Sequence, residues 1–278
     1  MTSGTGPRGE TTRLVRRIFA PFRRTPLHPQ WFCFRDESNW LCEAGAACRG
    51  VVVDVGCGRQ RVRPYLPPQC SYVGLDYPQT AIALYSIRPD IFADGGQLPL
   101  LNECADTVLA LEVLEHVADA EALVTEAARV LVPGGQFILS VPFLYPLHDA
   151  PHDYQRWTPF GLRHLLCTTG FEITSLETKG WPLATGVLLL NLALAKTVLE
   201  LFRRRNPLAL VACPVVALCF LIANLLAWSF QWLDRDQEFM PFTCRVHARK
   251  VDSVAATRSA QASAESRYSC DRPATPLG

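Results

Sequence analysis

Two groups of side chains in this chain have the types and spacing to do chemistry. The first is Asp54, Gly56 and Gly58 within Val51-Val52-Val53-Asp54-Val55-Gly56-Cys57-Gly58, followed by Asp76 at the end of Gly74-Leu75-Asp76. Glycines let a backbone turn tightly and pass close to a ligand that a Cβ would obstruct. An acid about 20 residues beyond such a turn is placed to accept from ribose hydroxyls. That pairing describes a nucleotide cradle. The second group lies in Pro142–Thr158, where His148, Asp149, His152, Asp153, Tyr154 and Arg156 stand among prolines, with two of the six histidines of the chain. A histidine oriented by a carboxylate is a general base, and an arginine suits an anionic substrate. His148 or His152 is therefore expected as the base, with Asp153 orienting it and Tyr154 and Arg156 facing the acceptor. The competing structural reading pairs Asp153 with Arg156 to pin the loop, while Thr158-Pro159 caps a helix over Phe160–Cys167.

The elements that must position these groups alternate between strand and helix signals from Gly50 onward, as in a parallel sheet covered on both faces. Strands are expected at Val51–Val55, Ser71–Asp76, Asp90–Ala93, Asp106–Leu111, Gln136–Val141 and Phe171–Glu177. Leu123, Val124, Ala127, Val130 and Leu131 recur at helical spacing, and Pro133-Gly134-Gly135 reads as the end of that helix. Thr243–Lys250 alternates like a last strand with one solvated face.

In order along the chain, Asp-Val-Gly-Cys-Gly, Gly-Leu-Asp, Ala-Asp-Gly-Gly-Gln-Leu-Pro-Leu, Val-Leu-Glu-His-Val and Arg-Val-Leu-Val-Pro-Gly-Gly resemble the class I S-adenosylmethionine-dependent methyltransferases. The likeness runs from about Gly50 to Glu177 and is nearest to the small-molecule branch that modifies quinones, lipids and glycans. It implies a doubly wound seven-stranded Rossmann-like α/β sheet with an antiparallel last strand, and S-adenosyl-L-methionine as cofactor. It also implies roles. Gly56 and Gly58 would pass under the methionine part, and Asp54 would organise the turn. Asp76 would accept both ribose hydroxyls, Tyr77 would pack on adenine, Asp94 would accept the adenine amino proton, and Glu112 would lie near the methionine end. The loop after Pro142 resembles the His-x-x-Pro-x-Asp-Tyr-x-Arg-x-Thr segment of methyltransferases in polysaccharide and lipid pathways. Glu115-His116 reads as a helix start, with Glu115 at the positive helix end and His116 packing locally. Gln60 stands where the family usually has a small residue. Arg61 occupies the position where a nicotinamide fingerprint needs glycine, which argues against a dinucleotide oxidoreductase.

The 278 residues suffice for one large domain with an appendage, and a net charge of +1 gives no sign of nucleic acid as a partner. Eleven cysteines without a Cys-x-x-Cys pair read as reduced cytosolic thiols, with neither a disulfide framework nor a zinc or other metal site. Residues 1–29 read as a disordered or basic amphipathic arm and 251–278 as a disordered tail. Residues 30–180 and 239–250 form the expected catalytic domain, and 181–238 an apolar helical hairpin inserted before the last strand. Within that insertion, Trp181–Ala195 and Leu208–Trp232 are uncharged, and the second is long enough to span a bilayer. Because Thr243–Lys250 must rejoin the sheet, a single span is excluded. A full two-span hairpin would carry Arg203, Arg204 and Arg205 across. A shallow or in-plane hairpin at the cytosolic face, serving a lipid-linked acceptor, is the favoured expectation. A soluble hairpin buried against the domain or in a homodimer is its rival. A non-catalytic cofactor-binding module tethered by the same hairpin is the alternative function.

Overall fold

The computed structural model describes residues 20–82, 87–232 and 238–251. Most of the expected basic arm, and the expected tail from residue 252, lie outside them. Seven strands form one sheet: β1 Val51–Val55, β2 Ser71–Asp76, β3 Ile91–Phe92, β4 Ala105–Leu111, β5 Leu131–Pro142, β6 Phe171–Lys179 and β7 Thr243–Lys250. Their order is β3-β2-β1-β4-β5-β7-β6. Strands β1 to β5 run parallel, whereas β7 is antiparallel to both neighbours, β5 and β6. The order reverses beside β1 and β4, and it is there that doubly wound sheets open a crevice for a ligand.

The apolar runs of β1, β4 and β5 are explained by burial on both faces. Along β5 the side chains alternate. Phe137 and Leu139 enter the core with Leu123, Val124, Leu162 and Leu166, while Ile138 points to the opposite face with Val52, Leu109 and Trp40. Burying each such side chain contributes about 1.5–3 kcal/mol. The first cluster includes α2 (Ala120–Val130) and α3 (Pro159–Thr168), and the second includes α1 (Trp31–Ala47). Asp119 caps α2 through the amide of Ala122 at 3.0 Å, and Thr158 caps α3 through that of Gly161 at 3.0 Å.

One element is added and one expectation is corrected. Helix α1 was not foreseen, because Trp-Phe-Cys-Phe opens it without a capping side chain. Pro133-Gly134-Gly135 does not end α2. That helix stops at Val130, Leu131 already pairs with Ala105, and a register shift inside β5 absorbs the motif. Gly134, at φ +69°, supplies the bend.

Between β6 and β7 the chain makes two long helices packed on each other, α4 (Pro182–Arg203) and α5 (Leu208–Ser229). Their root is fixed to α1: Trp31, Phe32, Ala184, Leu188, Ala227 and Phe242 form one buried cluster. Inside the pair, Asn191 Nδ2 donates to Asn224 Oδ1 at 3.0 Å, and Asn224 Nδ2 donates to the carbonyls of Pro26 and His28 at 2.7 and 3.1 Å. The outer surface is apolar and open. Leu208, Leu210, Val211, Val215, Leu218 and Ile222 are each at least half exposed.

Candidate functional site

At the carboxyl ends of β1, β2 and β4 a cavity of about 280 Å³ is lined by residues including Gly56, Asp76, Tyr77, Asp94, Glu112, His116, His152 and Tyr154. Residues expected from separate parts of the sequence thus share one wall. Gly56 has φ +68°, and a Cβ there would come within 2.5 Å of Val113 Cγ2. Gly58 has φ +49°. No larger residue fits the first position without displacing Val113, so the bare backbone forms the floor. Asp76 is nearly buried; its Oδ2 accepts from the Gly58 amide at 2.8 Å and its Oδ1 from the Thr80 hydroxyl at 3.0 Å. A carboxylate has lone pairs beyond those two. An acid at a glycine floor, with an aromatic ring and a second acid beyond it, fits a nucleoside with a positively charged extension.

Asp54 is not part of that lining. It is buried beneath the turn and accepts from the Tyr72 hydroxyl at 2.6 Å. Burial pushes its carboxyl up to about 7, the Tyr72 hydrogen bond opposes this, and the charge of Asp76 adds to it. Gln60 turns away from the cavity, accepting from Arg63 Nη1 at 2.8 Å, so its bulk does not crowd the cradle. Asp94 is exposed and accepts from the Gly96 amide at 2.9 Å. Glu112 lies at the mouth with φ +59°, next to Thr243, whose hydroxyl lies 3.4 Å from its Oε1.

The loop after β5 folds over the cavity and is stitched to the turn after β4. The Tyr154 amide donates to Glu115 O at 2.8 Å, and Gln155 Nε2 donates to Leu114 O and Val117 O, each at 3.2 Å. His152 reaches the cavity. Its ring meets Tyr77 edge-on with centroids 5.9 Å apart, and its Nδ1 lies 3.3 Å from the Tyr154 hydroxyl. His148 sits further back, its ring 4.7 Å from that of His116. Asp153 contacts it: Oδ2 accepts from the His148 amide at 2.8 Å and lies 3.4 Å from Nδ1. Asp153 also takes a two-pronged bond from Arg156, at 2.5 and 2.8 Å. Burial works against the charge on Asp153, but Arg156 and the His148 amide outweigh it and hold the carboxyl at about 2. Arg156 spends its remaining donors on Tyr145 O, Pro146 O and Gln155 O. The guanidinium holds the loop together, with its donors engaged by Asp153 and by backbone carbonyls of the loop.

Glu115 and His116 depart from the expected helix start. Leu114–His116 is a separate 3-10 turn, and α2 begins at Ala120. Glu115 is fully buried with neither carboxylate oxygen hydrogen-bonded. Burial first, and Glu112 next, push its carboxyl well above the usual range. The signal for this pair was its place just after β4, at the mouth of the crevice.

Residues 53–139 match the family described as methyltransferase domain. A protein of Mycolicibacterium smegmatis named "Probable S-adenosylmethionine-dependent methyltransferase" is 32% identical over 133 residues, covering 44% of this chain and 52% of that protein. A ubiquinone biosynthesis O-methyltransferase of Pseudomonas paraeruginosa is 30% identical over 112 residues, covering 37% and 48%. The chain spans about half the length of these curated relatives. Among solved structures, the [4+2]-cyclase SpnF aligns with a TM-score of 0.48 at 20% identity, covering 80% of this chain and 83% of that one. An S-adenosylmethionine-dependent methyltransferase of Mesorhizobium loti aligns with a TM-score of 0.45 at 17% identity, covering 80% and 98%. The segment that carries the motifs is a class I methyltransferase domain, and S-adenosyl-L-methionine is the cofactor that goes with it.

Proposed function

We propose that the chain methylates a hydroxyl of a small or lipid-linked acceptor at the cytosolic face of a membrane. The observation that carries the membrane part is the double role of Tyr145. Its side chain packs against the cluster that roots the apolar helices, and its ring stands edge-on to His148 with centroids 5.2 Å apart. One side chain thus separates the root of the hairpin from the histidines of the site. The helices themselves are long and apolar enough to cross a membrane, with mean hydropathy 1.6 for α4 and 2.6 for α5. In α5 17% of the most apolar window is buried, whereas the core helix of a soluble domain is mostly covered. The relatives named for ubiquinone biosynthesis support oxygen as the atom methylated and a lipid-like acceptor.

In this reading Asp76 holds the ribose, Gly56 and Gly58 admit the methionine part, and Tyr77 and Asp94 flank the base. When bound, the cofactor supplies a methyl that leaves sulfur with the electron pair remaining on sulfur, as the acceptor oxygen forms the new bond to carbon. His152 faces the cavity and takes the proton that the hydroxyl loses. Asp153 and Arg156 keep the loop in place, so that acceptor and methyl are held in line and water is displaced.

The test is to incubate the full chain with radiolabelled cofactor and separate membrane and soluble extracts. Label in a lipid-extractable product, lost with His152→Ala while cofactor binding persists, is the expected result. Cofactor binding without transfer to any fraction would instead indicate the non-catalytic module.

A further inference from the structure

We propose that Glu115, His116 and His148 form a binding site for a divalent transition-metal cation at the wall of the cavity. One ligand atom from each residue falls within a span of 4.8 Å. Glu115 Oε1 lies 3.5 Å from His116 Nε2 and 3.9 Å from His148 Nε2. These three atoms converge on one point, and two imidazoles with one carboxylate are a donor set for zinc, iron, manganese or cobalt.

The remaining ring nitrogens show why the convergence needs a cation. His116 Nδ1 is hydrogen-bonded to the backbone carbonyl of His152, an acceptor, so Nδ1 carries the hydrogen. His148 Nδ1 lies 3.3 Å from Pro146 O and 3.4 Å from Asp153 Oδ2, again acceptors. Arg156 Nη2 is 3.4 Å from the same nitrogen, but its hydrogens are directed to Pro146 O and Asp153 Oδ2. In the neutral imidazoles both Nε2 atoms therefore present lone pairs, and they present them to a carboxylate oxygen. Three electron-rich atoms pointing at one another repel unless something positive stands between them. A single proton satisfies one pair and leaves the third atom facing lone pairs, and a second would set two imidazolium charges on rings whose centroids are 4.7 Å apart. A divalent cation satisfies all three.

The second independent observation is Glu115 itself, fully buried, with neither oxygen hydrogen-bonded. Such a group is costly to keep unless a partner completes it. The outer contacts also have the form found around metal-bound histidines, with each distal nitrogen held by a carbonyl or carboxylate that fixes the tautomer and the ring. Of the three residues, His116 lines the cavity, so a cation here would sit at its edge, and a further ligand would have to reach it from that side. An acceptor oxygen is the ligand that would complete it. This last step rests on the cavity being the acceptor site; the cation site itself does not.

The test uses the full chain stripped with a chelator and titrated with Co²⁺, followed by visible absorption and calorimetry. About one equivalent should bind with weak d–d bands and no intense thiolate band near the ultraviolet. Asp153→Asn should weaken binding by about 10–100-fold, and His148→Ala or Glu115→Gln by more. A parallel titration with S-adenosyl-L-methionine should still give heat in His148→Ala, which separates the two sites and confirms that the variant is folded. Cobalt that fails to bind wild-type protein, or that binds with thiolate absorption unchanged in His148→Ala, would overturn the assignment.

Discussion

Asp76 and Gly58 meet through a 2.8 Å hydrogen bond from amide to carboxylate, so one side chain joins the end of β2 to the glycine turn after β1. The residue expected to hold the ribose also shapes the glycine floor of the cavity. Asp76→Ala should weaken cofactor binding by roughly 10–150-fold, the equivalent of one charged hydrogen bond of about 1.5–3 kcal/mol. Asp76→Asn should fall between that variant and the parent. Calorimetry on both checks the order.

Gly56→Ala should impair the cradle for two separable reasons. The left-handed backbone costs about 1–2 kcal/mol for any residue with a Cβ, and the new methyl would stand 2.5 Å from Val113 Cγ2. Combining it with Val113→Ala should relieve the contact and leave the backbone cost. A double-mutant cycle on thermal stability reads the two contributions, and strict additivity would show that the contact is harmless.

Asp54 should give the protein an unusual pH profile. Its folded-state value of about 7 lies above the ordinary carboxylate value of 3.8. The folded state therefore holds this proton more tightly than the unfolded chain does. The contribution of Asp54 is fully present below the ordinary value and is lost as pH rises through 7. Over that window the slope reaches at most about 1.4 kcal/mol per pH unit. Denaturant midpoints from pH 5 to 8 should fall in the parent and flatten in Asp54→Asn.

Asp153 should behave in the opposite sense. Its carboxyl is held at about 2, below the ordinary 3.8, so its stabilisation is present above 3.8 and lost as pH falls through 2. Its side chain is 2% exposed. Arg156→Ala would remove the two-pronged partner and leave Asp153 with the His148 amide, at a cost of about 1.5–3 kcal/mol. Proteolysis confined to residues 146–156 would report the loosened loop, and a variant as resistant as the parent would show that the pair is dispensable.

The apolar face of α5 should direct the chain to lipid. Flotation with vesicles containing anionic phospholipid is expected for the parent, and Leu210→Asp with Val211→Asp should reduce it several-fold. Those residues are 73% and 64% exposed, so the changes disturb no packing. Equal flotation of both proteins would sink the membrane reading and leave the cofactor site untouched.

The strands that place the cofactor cradle were legible because burial on both faces writes a continuous apolar run, as in Val51–Val55 and Asp106–Leu111. Thr243–Lys250 was legible through its alternation. Helix α1 was not, since its buried Trp31, Phe32, Trp40 and Ala44 follow no regular stripe. Pro-Gly-Gly misled because a punctuating motif in the sequence became a bend inside β5. Within the site, residue types pointed to the loop but could not apportion its roles. Whether Arg156 faces a ligand or its own loop depends on where Tyr145 O and Pro146 O lie, and spacing does not encode that. Glu115 looked local for the same reason: its isolation from hydrogen-bond donors comes from residues far along the chain.

Strand β7 occupies the slot between β5 and β6, yet it is the last of the three to be synthesised. Until Thr243–Lys250 has left the ribosome, β6 has no neighbour to pair with, and the sheet that carries the site stays open on that side. By then both apolar helices have already emerged. Whatever shelters them, chaperone or bilayer, must take hold of a nascent chain whose sheet is still unfinished.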